Sequence, residues 1–277
     1  MIVALDVLLV DHPGLVRGAL VGVLFLSLLA GQRWRPRRAM ATGWLRSVRN
    51  VAMTAISTGV VYLLLPVTTV GVAFVVEQHG WGFLNRLNWP LSLEIIISLV
   101  MLDLAIYWQH RWFHQVHVLW PIHRVHHSDI AFDVSLGLRF HPAEILLSLG
   151  YKMLLIALLG IAPLAIIIYE VSLAAFALLT HSNIALSPRC DGWVRTLFVT
   201  PDWHRVHHSI HRDETDSNYG NILSVWDRLF ASYTAQPRDG HADMQIGLTA
   251  FRDPRAQTVP ALLLQPMRRE STFTSTS

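Results

Sequence analysis

Long apolar runs separated by short polar segments occupy the first two thirds of the chain. Residues 13–31 and 51–76 are each long enough to cross a hydrocarbon core of about 30 Å as a helix rising about 1.5 Å per residue. Pro66 predicts a kink within the second run. Residues 91–110 form a third run of the same kind. The pattern therefore predicts a series of membrane-spanning helices.

The apolar stretch 144–181 is too long for a single crossing. Gly160 and Pro163 divide it, which predicts a hairpin of two spans or a re-entrant loop. Together the runs predict an all-α integral membrane helical bundle with about four to five transmembrane helices. The composition agrees, because 52% of the residues are hydrophobic and 15% are charged, whereas about 25% charged residues is typical of soluble domains.

Positive charge is concentrated between the first two runs and predicts the orientation of the chain. The arginines of this loop are Arg33, Arg35, Arg37, Arg38, Arg46 and Arg49. Loops rich in Lys and Arg face the cytoplasm. Counting crossings from this loop places residues 110–143, and everything after 181, on the cytoplasmic side as a helical cap. The net charge is only +3 and no nucleic-acid-binding pattern is present, so we expect no nucleic-acid partner.

Histidines are concentrated in the segments predicted to form this cap. At the overall frequency of 15 in 277 residues, a window of 18 residues holds about one histidine, but residues 110–127 contain six. Residues 204–211 contain four, where about 0.4 are expected. The sequence HRVHHS occurs twice, at 123–128 and 204–209. Composition alone does not explain this clustering.

The spacing of these histidines is suited to metal binding, because residues three and four apart share one face of a helix. The candidate ligands from three segments are His110, His114, His123, His126, His127, His204, His207 and His208. Eight imidazoles exceed the four ligands of a tetrahedral zinc site, which suggests two metal ions. Cys190 is the single cysteine, so no Cys-based cluster can form within one chain.

Other interpretations remain open from the residues alone. The histidines could be surface residues at the membrane interface or core residues bonded to backbone, and we apply that interpretation to His12, His79 and His241. Asp103 lies on the helix face of His110 and His114 and either accepts a hydrogen bond from a ligand histidine or joins two helices. No H-E-x-x-H motif and no Glu-x-x-His pair is present.

Several motifs occur in a fixed order between about residues 100 and 234. They are HRWFH at 110–114, HRVHHS, FHPAE at 140–144, HSN at 181–183, the second HRVHHS, and DSNYGNILSVWDRLFASY at 216–233. In this order they resemble the membrane-bound fatty acid hydroxylase and sterol desaturase superfamily. The resemblance divides the chain into N-terminal transmembrane helices (1–90), a fatty acid hydroxylase-like catalytic domain (91–249) and a C-terminal tail (250–277).

The resemblance implies a site of two iron ions, which zinc can replace in purified material, with O2 as co-substrate. It carries the ligand role to the eight histidines above and adds His181 before SN. His141 of the FHP motif matches a motif histidine of the sterol-acting branches. Some fatty acid hydroxylases have a second histidine one turn before the equivalent of His181, where this chain has Ala177. The exact number of ligands therefore stays open.

The function implied is an oxidoreductase that hydroxylates or desaturates a C–H bond of a membrane lipid. The resemblance also implies an external electron donor of the ferredoxin or cytochrome b5 type with its reductase. Sterols, fatty acids, sphingolipids, alkylglycerols and carotenoids all remain open as substrates. The alternatives are a histidine-rich membrane zinc transporter or metal-binding protein, including a relative without activity.

Overall fold

The structure, a computed structural model, describes residues 13–39 and 43–270. Helices and short connections make up these two ranges, which contain isolated bridges but no strand. The all-α prediction is confirmed. The long helices are α1 (Pro13–Trp34), α2 (Trp44–Leu64), α3 (Thr69–Gln78), α4 (Leu91–Gln115), α6 (Pro142–Leu159) and α7 (Pro163–Thr180).

Short helices connect and follow the long ones. They are α5 (Trp120–His127), α8 (Pro188–Val194), α9 (Pro201–His207), α10 (Arg212–Thr215), α11 (Val225–Leu229), α12 (Gly240–Asp243) and α13 (Val259–Leu264), with further 3-10 turns at 134–138 and 254–257. Together with their loops they form the cap at the end of the bundle where α4 and α7 finish and α6 begins. The histidine-rich segments therefore gather at one end of the bundle, as predicted.

Four helical segments are long and apolar enough to cross a membrane: Trp44–Gln78, Leu91–Gln115, Pro142–Leu159 and Pro163–Thr180. The described part of α1 adds a shorter apolar helix, Gly18–Trp34. This agrees with the predicted four to five spans. The predicted boundaries were too narrow, because α2 begins before residue 51 and α4 continues beyond residue 110 into the cap.

The prediction of a kink at Pro66 was too weak, because the helix breaks there. Leu65 is extended (φ −115°, ψ 99°) and α3 begins afresh at Thr69. Proline lacks the N–H that would continue the helix and disfavours helical backbone in the residue before it. The Thr68 side chain accepts a hydrogen bond from the Gly71 N–H at 3.0 Å and so caps the new helix.

The hairpin predicted for 144–181 consists of two helices, α6 and α7. Gly160 ends α6 in the left-handed conformation (φ +77°) that glycine adopts without strain. A Cβ at this position would lie 2.8 Å from the Trp81 carbonyl oxygen. The hairpin tip therefore packs closely on the α3–α4 connection, at the end of the bundle opposite the cap.

A buried ion pair joins α6 and α7 within the bundle. The Lys152 ammonium lies 2.8 Å from a Glu170 carboxylate oxygen, which also accepts a hydrogen bond from the Thr69 hydroxyl of α3 at 2.8 Å. A charge in the membrane interior is tolerated when it is paired. The pair therefore fixes the packing of three helices.

Removal of one charge should cost more than removal of both. We expect Lys152→Met to destabilise the protein by about 3–5 kcal/mol, because it removes the ammonium group that neutralises Glu170. The double variant Lys152→Met/Glu170→Leu should recover most of that loss. Melting temperatures in detergent test this; a double variant no more stable than the single one would contradict it.

The segment after residue 250 packs onto the cap as far as Glu270. Leu262 is fully buried in a cluster with Met53 and Val125, and the buried Gln265 accepts a hydrogen bond from Ser128 Oγ at 3.1 Å. The part of the predicted tail (250–277) up to Glu270 is thus bound to the cap, because its apolar side chains have a surface to cover. Residues 271–277 lie outside the described ranges. The other domain boundaries stay predictions.

Candidate metal centre

Nine histidines converge in the cap as two adjacent groups. The five-histidine group contains His110, His114, His123, His127 and His207, and the four-histidine group contains His126, His181, His204 and His208. Within each group the potential ligand atoms lie within 4.8 Å of one another. All nine residues are buried. Each group is therefore compact enough to surround one metal ion.

The repeated HRVHH sequence contributes to both groups in opposite ways. In the first copy, His123 and His127 belong to the five-histidine group and His126 to the other. In the second copy, His204 and His208 belong to the four-histidine group and His207 to the other. The i, i+4 pair of each short helix faces one group, and the i+3 residue faces its neighbour. The repeat thereby binds the two groups into a single unit.

Residues outside the repeats make the two groups unequal. α4 supplies His110 and His114, four residues apart, to the first group, while the end of α7 supplies His181 alone to the second. Ala177 stands four residues before His181, where a matching histidine would complete the second pair. The chain accordingly offers five imidazoles on one side and four on the other.

Backbone carbonyls fix the orientation of four of these rings through their Nδ1 atoms. His110 pairs with the Tyr219 oxygen at 2.8 Å, His126 with Arg139 at 3.2 Å, His181 with Ala177 at 2.6 Å and His207 with Ser217 at 2.6 Å. A carbonyl oxygen only accepts, so Nδ1 carries the proton in each ring. Nε2 is then left with a lone pair for a metal.

Carboxylates orient two further histidines of the five-histidine group. His123 Nδ1 lies 2.7 Å from Glu144, which is buried, and His114 Nδ1 lies 3.2 Å from the half-buried Asp216. A carboxylate behind a ligand histidine fixes the ring and raises the basicity of the opposite nitrogen. Both residues were missed by the sequence analysis, although Glu144 ends the FHPAE motif.

The Nε2 atoms meet at distances that neutral imidazoles alone do not explain. His110 and His207 approach within 3.0 Å, as do His126 and His181. Because Nδ1 holds the proton in all four rings, each contact brings two lone pairs together. Neutral imidazole is a ligand for iron, zinc, copper and nickel. The donor set therefore fits a pair of transition-metal ions bound through Nε2.

Burial keeps these rings neutral, as metal binding requires. It lowers the pKa of His207 to about 3 and that of His181 to about 4. The pKa values of His126, His204 and His208 are also well below the ordinary value. Burial is the main cause, and the charges of neighbouring histidines are the second. Protons therefore do not compete with a metal ion for these nitrogens near neutral pH.

The structure does not bring His141 to either group. Its Nδ1 accepts the Ala143 N–H at 3.1 Å as the cap of α6, and its Nε2 donates to the Leu263 carbonyl at 3.1 Å. Both nitrogens are thus engaged with backbone, and we remove His141 from the candidate ligands. The exposed His79, the buried His241 and the half-buried His211 also lie outside the two groups. His12 lies outside the described ranges.

Asp103 bonds to the cap rather than to a ligand histidine. Its Oδ2 accepts the Leu223 N–H at 3.1 Å and the Trp226 Nε1–H at 2.8 Å. The second of the two interpretations, a bond between structural elements, is therefore the one observed. Asp103 thereby joins α4 to α11 and to the loop before it.

Hydrogen bonds to the Asp227 side chain fix the conformation of the loop 216–221. The Asp227 carboxylate accepts the N–H groups of Tyr219 and Gly220, both at 2.8 Å, and Asn218 adopts a left-handed backbone (φ +54°). The loop carbonyls of Ser217 and Tyr219 are those that orient His207 and His110. The DSNYG…WD motif thus positions ligands rather than contributing any itself.

A second buried network supports the His126 side of the centre. The Arg139 carbonyl orients His126, while its guanidinium donates to the Val125 carbonyl at 2.8 Å and to Ser128 Oγ at 2.9 Å. Arg139 Nη1 also lies 3.5 Å from Asp129, which Arg46 of α2 contacts at 2.6 Å. This network ties the first HRVHHS repeat to α2.

Glu144 offers a test of the five-histidine group. We expect Glu144→Gln to lower the metal affinity of that group about 10–100-fold, because the amide preserves the shape but removes the charge that strengthens His123 as a ligand. Metal competition titrations measure the effect. Glu77→Gln, an exposed change on α3, is the matched control. Equal affinities in Glu144→Gln and the control would show that the carboxylate does not support the site.

Comparison with known proteins agrees with this arrangement. Residues 95–232 match the family model for fatty acid hydroxylase. The chain is 32% identical over 195 residues to an ornithine lipid hydroxylase of Rhizobium tropici, a match covering 70% of this chain and 55% of that protein. It is 28% identical over 202 residues to an alkylglycerol monooxygenase of Danio rerio, covering 70% and 44%.

A further relative comes from the sterol branch. A Delta(7)-sterol 5(6)-desaturase of Eremothecium gossypii is 29% identical over 169 residues, covering 58% of this chain and 45% of that protein. The chain spans about half the length of the curated relatives it matches. No solved structure matches it.

The chain belongs to the fatty acid hydroxylase and sterol desaturase superfamily. With its apolar helical segments it is an integral membrane protein whose candidate metal centre lies at one end of the bundle.

Proposed function

We propose that the protein is a membrane-bound oxidoreductase with two iron ions that uses O2 and external electrons to hydroxylate or desaturate a C–H bond of a membrane lipid. The observation that carries this proposal is the pair of adjacent, buried, all-histidine groups at the end of a membrane bundle. Two bound irons would activate O2 for attack on an unactivated C–H bond, a chemistry that amino-acid side chains lack.

The side chains of the protein hold and shield such a pair. Nine histidines are its proposed ligands: His110, His114, His123, His126, His127, His181, His204, His207 and His208. The carbonyls behind His110, His126, His181 and His207 keep each Nε2 directed inward. The burial of all nine residues keeps water from the centre. An oxidising site needs this exclusion, because water would otherwise enter side reactions.

The relatives support a lipid as substrate without separating the two reactions. Their names describe a hydroxylase of ornithine lipids, a monooxygenase of alkylglycerols and a desaturase of sterols. All three names denote membrane lipids or their apolar components. We favour hydroxylation of a polar lipid. The hydroxylase and the monooxygenase each match 70% of this chain, whereas the desaturase matches 58%.

We further propose that the cap faces the cytoplasm and receives electrons there from a ferredoxin or cytochrome b5 with its reductase. The arginine-rich segment between α1 and α2 lies at the cap end of the bundle, which the preference of positive loops for the cytoplasm supports. Trp120 lies half-buried at the surface of the cap, with its ring 5.1 Å from His114 and 5.6 Å from His127.

The alternative of a zinc transporter is not supported. The relatives are lipid-oxidising enzymes. Within the described spans, Asp103 bonds to the cap and Glu170 pairs with Lys152. These carboxylates are committed to internal contacts and do not outline an ion path.

Lipid analysis tests the proposed function directly. Cells with and without the protein are grown under oxygen labelled with the heavy isotope, and their lipids are compared by mass spectrometry. We expect one lipid class to gain a labelled hydroxyl, or a double bond, only when the protein is present. Identical lipid profiles, together with no O2 consumption by iron-loaded protein given a reductant, would contradict the proposal.

A further inference from the structure

A cavity of about 250 Å³ opens beside the four-histidine group. Its walls come from the loop 130–133, the segment 243–246 and three polar side chains, Arg38, Asn183 and Arg252. Ala39, Asp243 and Gln245 are exposed at its rim. The cavity is thus connected to the surface of the cap, and nothing in the metal centre itself requires it.

A single aromatic ring separates this cavity from the metal centre. Phe132 lines the cavity, and its ring stacks on His181 at 5.8 Å and meets His208 edge-on at 5.4 Å. The Arg205 guanidinium lies 4.9 Å from the centre of the same ring. A group held in the cavity is therefore about one ring away from the four-histidine group.

Hydrogen bonds to backbone carbonyls fix the two arginine side chains of the cavity. Arg38 Nη2 donates to the Met244 carbonyl at 2.7 Å, and Arg252 Nη1 donates to the Ile246 carbonyl at 2.9 Å. A guanidinium has five N–H donors, so each arginine is fixed by the backbone and keeps further donors. Asp243 adds a carboxylate at the rim. Asp133 also lines the cavity, but its carboxylate is paired with Arg46 of α2. The lining therefore combines two cations, Arg38 and Arg252, with the exposed carboxylate of Asp243.

The cavity lies next to the ends of two apolar helices of the bundle. α1 ends at Trp34 and α7 at Thr180, and Arg38 and Asn183 follow only a few residues beyond these ends. Trp34 is 83% exposed, as expected for a tryptophan at the membrane interface. A lipid could place its polar end in the cavity while its chains remain in the bilayer.

We propose that this cavity binds the zwitterionic headgroup of the lipid substrate. Its carboxylate or phosphate contacts Arg38 and Arg252, and its ammonium group contacts Asp243. Phe132 forms the wall between the bound headgroup and the four-histidine group. The carbon presented for oxidation therefore belongs to the headgroup or to the first few carbons of a chain. This inference rests on the proposed function for the reaction, but the binding site does not depend on it.

Binding to the metal-loaded, full-length protein in neutral detergent, with no reductant present, tests the site without any catalysis. The probes are radiolabelled ornithine lipid, phosphatidic acid and diacylglycerol with identical chains. We expect ornithine lipid and phosphatidic acid to bind at least tenfold more tightly than diacylglycerol, because charged hydrogen bonds are lost in the neutral lipid. Equal binding of all three probes would overturn the proposal, and this comparison needs no variant.

Substitutions then assign the charges. Arg38→Gln and Arg252→Gln should each weaken binding of both charged lipids about tenfold. Asp243→Asn should weaken only ornithine lipid, because phosphatidic acid has no ammonium group. Arg86→Gln, an exposed change at the opposite end of the bundle, is the control. Melting temperatures exclude misfolding. Unchanged affinity in both arginine variants would overturn the proposal.

The position of oxidation separates failure of this inference from failure of the proposed function. Oxidation far along a chain would leave the proposed function intact and contradict the headgroup site. Charge-dependent binding in a protein that never oxidises a lipid would support the headgroup site and contradict the proposed function.

Discussion

Replacement of His126 by alanine is expected to abolish lipid oxidation while the protein remains folded in the membrane. His126 is one of the four proposed ligands in its group, and its Nε2 lies 3.0 Å from that of His181. Three remaining imidazoles fall below the four ligands of a closed site. The loss of activity should exceed the roughly 10–100-fold loss that follows removal of a hydrogen-bond partner of a ligand histidine. Product formation and iron content per chain measure it.

The two groups differ in their number of histidines, five and four, so we expect variants of the two groups to differ in metal content. His207→Ala leaves four imidazoles in its group, so we expect it to retain more metal than His126→Ala. Both variants should lose activity, because each disrupts one half of a shared centre. His117→Ala, an exposed histidine of the cap, is the matched control and should behave as wild type. Undiminished product from His126→Ala would refute the assignment of this ligand.

The second large effect is expected from Arg139→Met. Arg139 is almost fully buried and donates to Val125, Ser128 and Gln257. Its replacement leaves these acceptors without their donor and removes one of the cations that neutralise the buried Asp129. Breaking such a buried network costs about 3–5 kcal/mol. The melting temperature in detergent should fall, and metal should be lost from the four-histidine group first because His126 loses its support.

A matched substitution of an exposed arginine separates the effect of losing a buried network from the effect of losing one positive charge. Arg189→Met removes an arginine that is exposed on α8, and surface changes of this kind are normally within about 0.5 kcal/mol. We expect its melting temperature and metal content to match those of the wild type. If Arg139→Met behaved in the same way, the network around Asp129 would have no part in holding the first HRVHHS repeat.

The sequence predicted the helices and most of the histidines that converge in the cap, because both depend on local spacing. Apolar runs such as 91–110 are recognisable from length alone, and histidines three and four residues apart share a helix face in any context. His181 lacks such a partner within the chain and was found through the family resemblance. The division of each repeat between two groups follows from the same spacing, but only the packing of α5 against α9 shows it.

Other features depend on contacts between distant segments. His141 has a motif position like the ligands, yet it caps α6 and reaches the Leu263 carbonyl, more than a hundred residues later. Glu144 and Asp216 become visible as partners of His123 and His114 only when α6 and α10 are in place. Asp103 shares a helix face with His110 and His114, but its partner is Trp226, more than a hundred residues later. Helical periodicity carries no information about such long-range pairs.

Metal analysis of the purified wild-type protein tests the central claim most directly. Plasma mass spectrometry gives the number of ions per chain, and X-ray absorption at the iron edge gives the type and number of their ligands. The two histidine groups predict about two ions per chain in an all-nitrogen environment from the protein. A protein that is folded and reconstituted with iron, yet binds no ion or shows sulfur or carboxylate ligands in place of imidazole, would contradict the account.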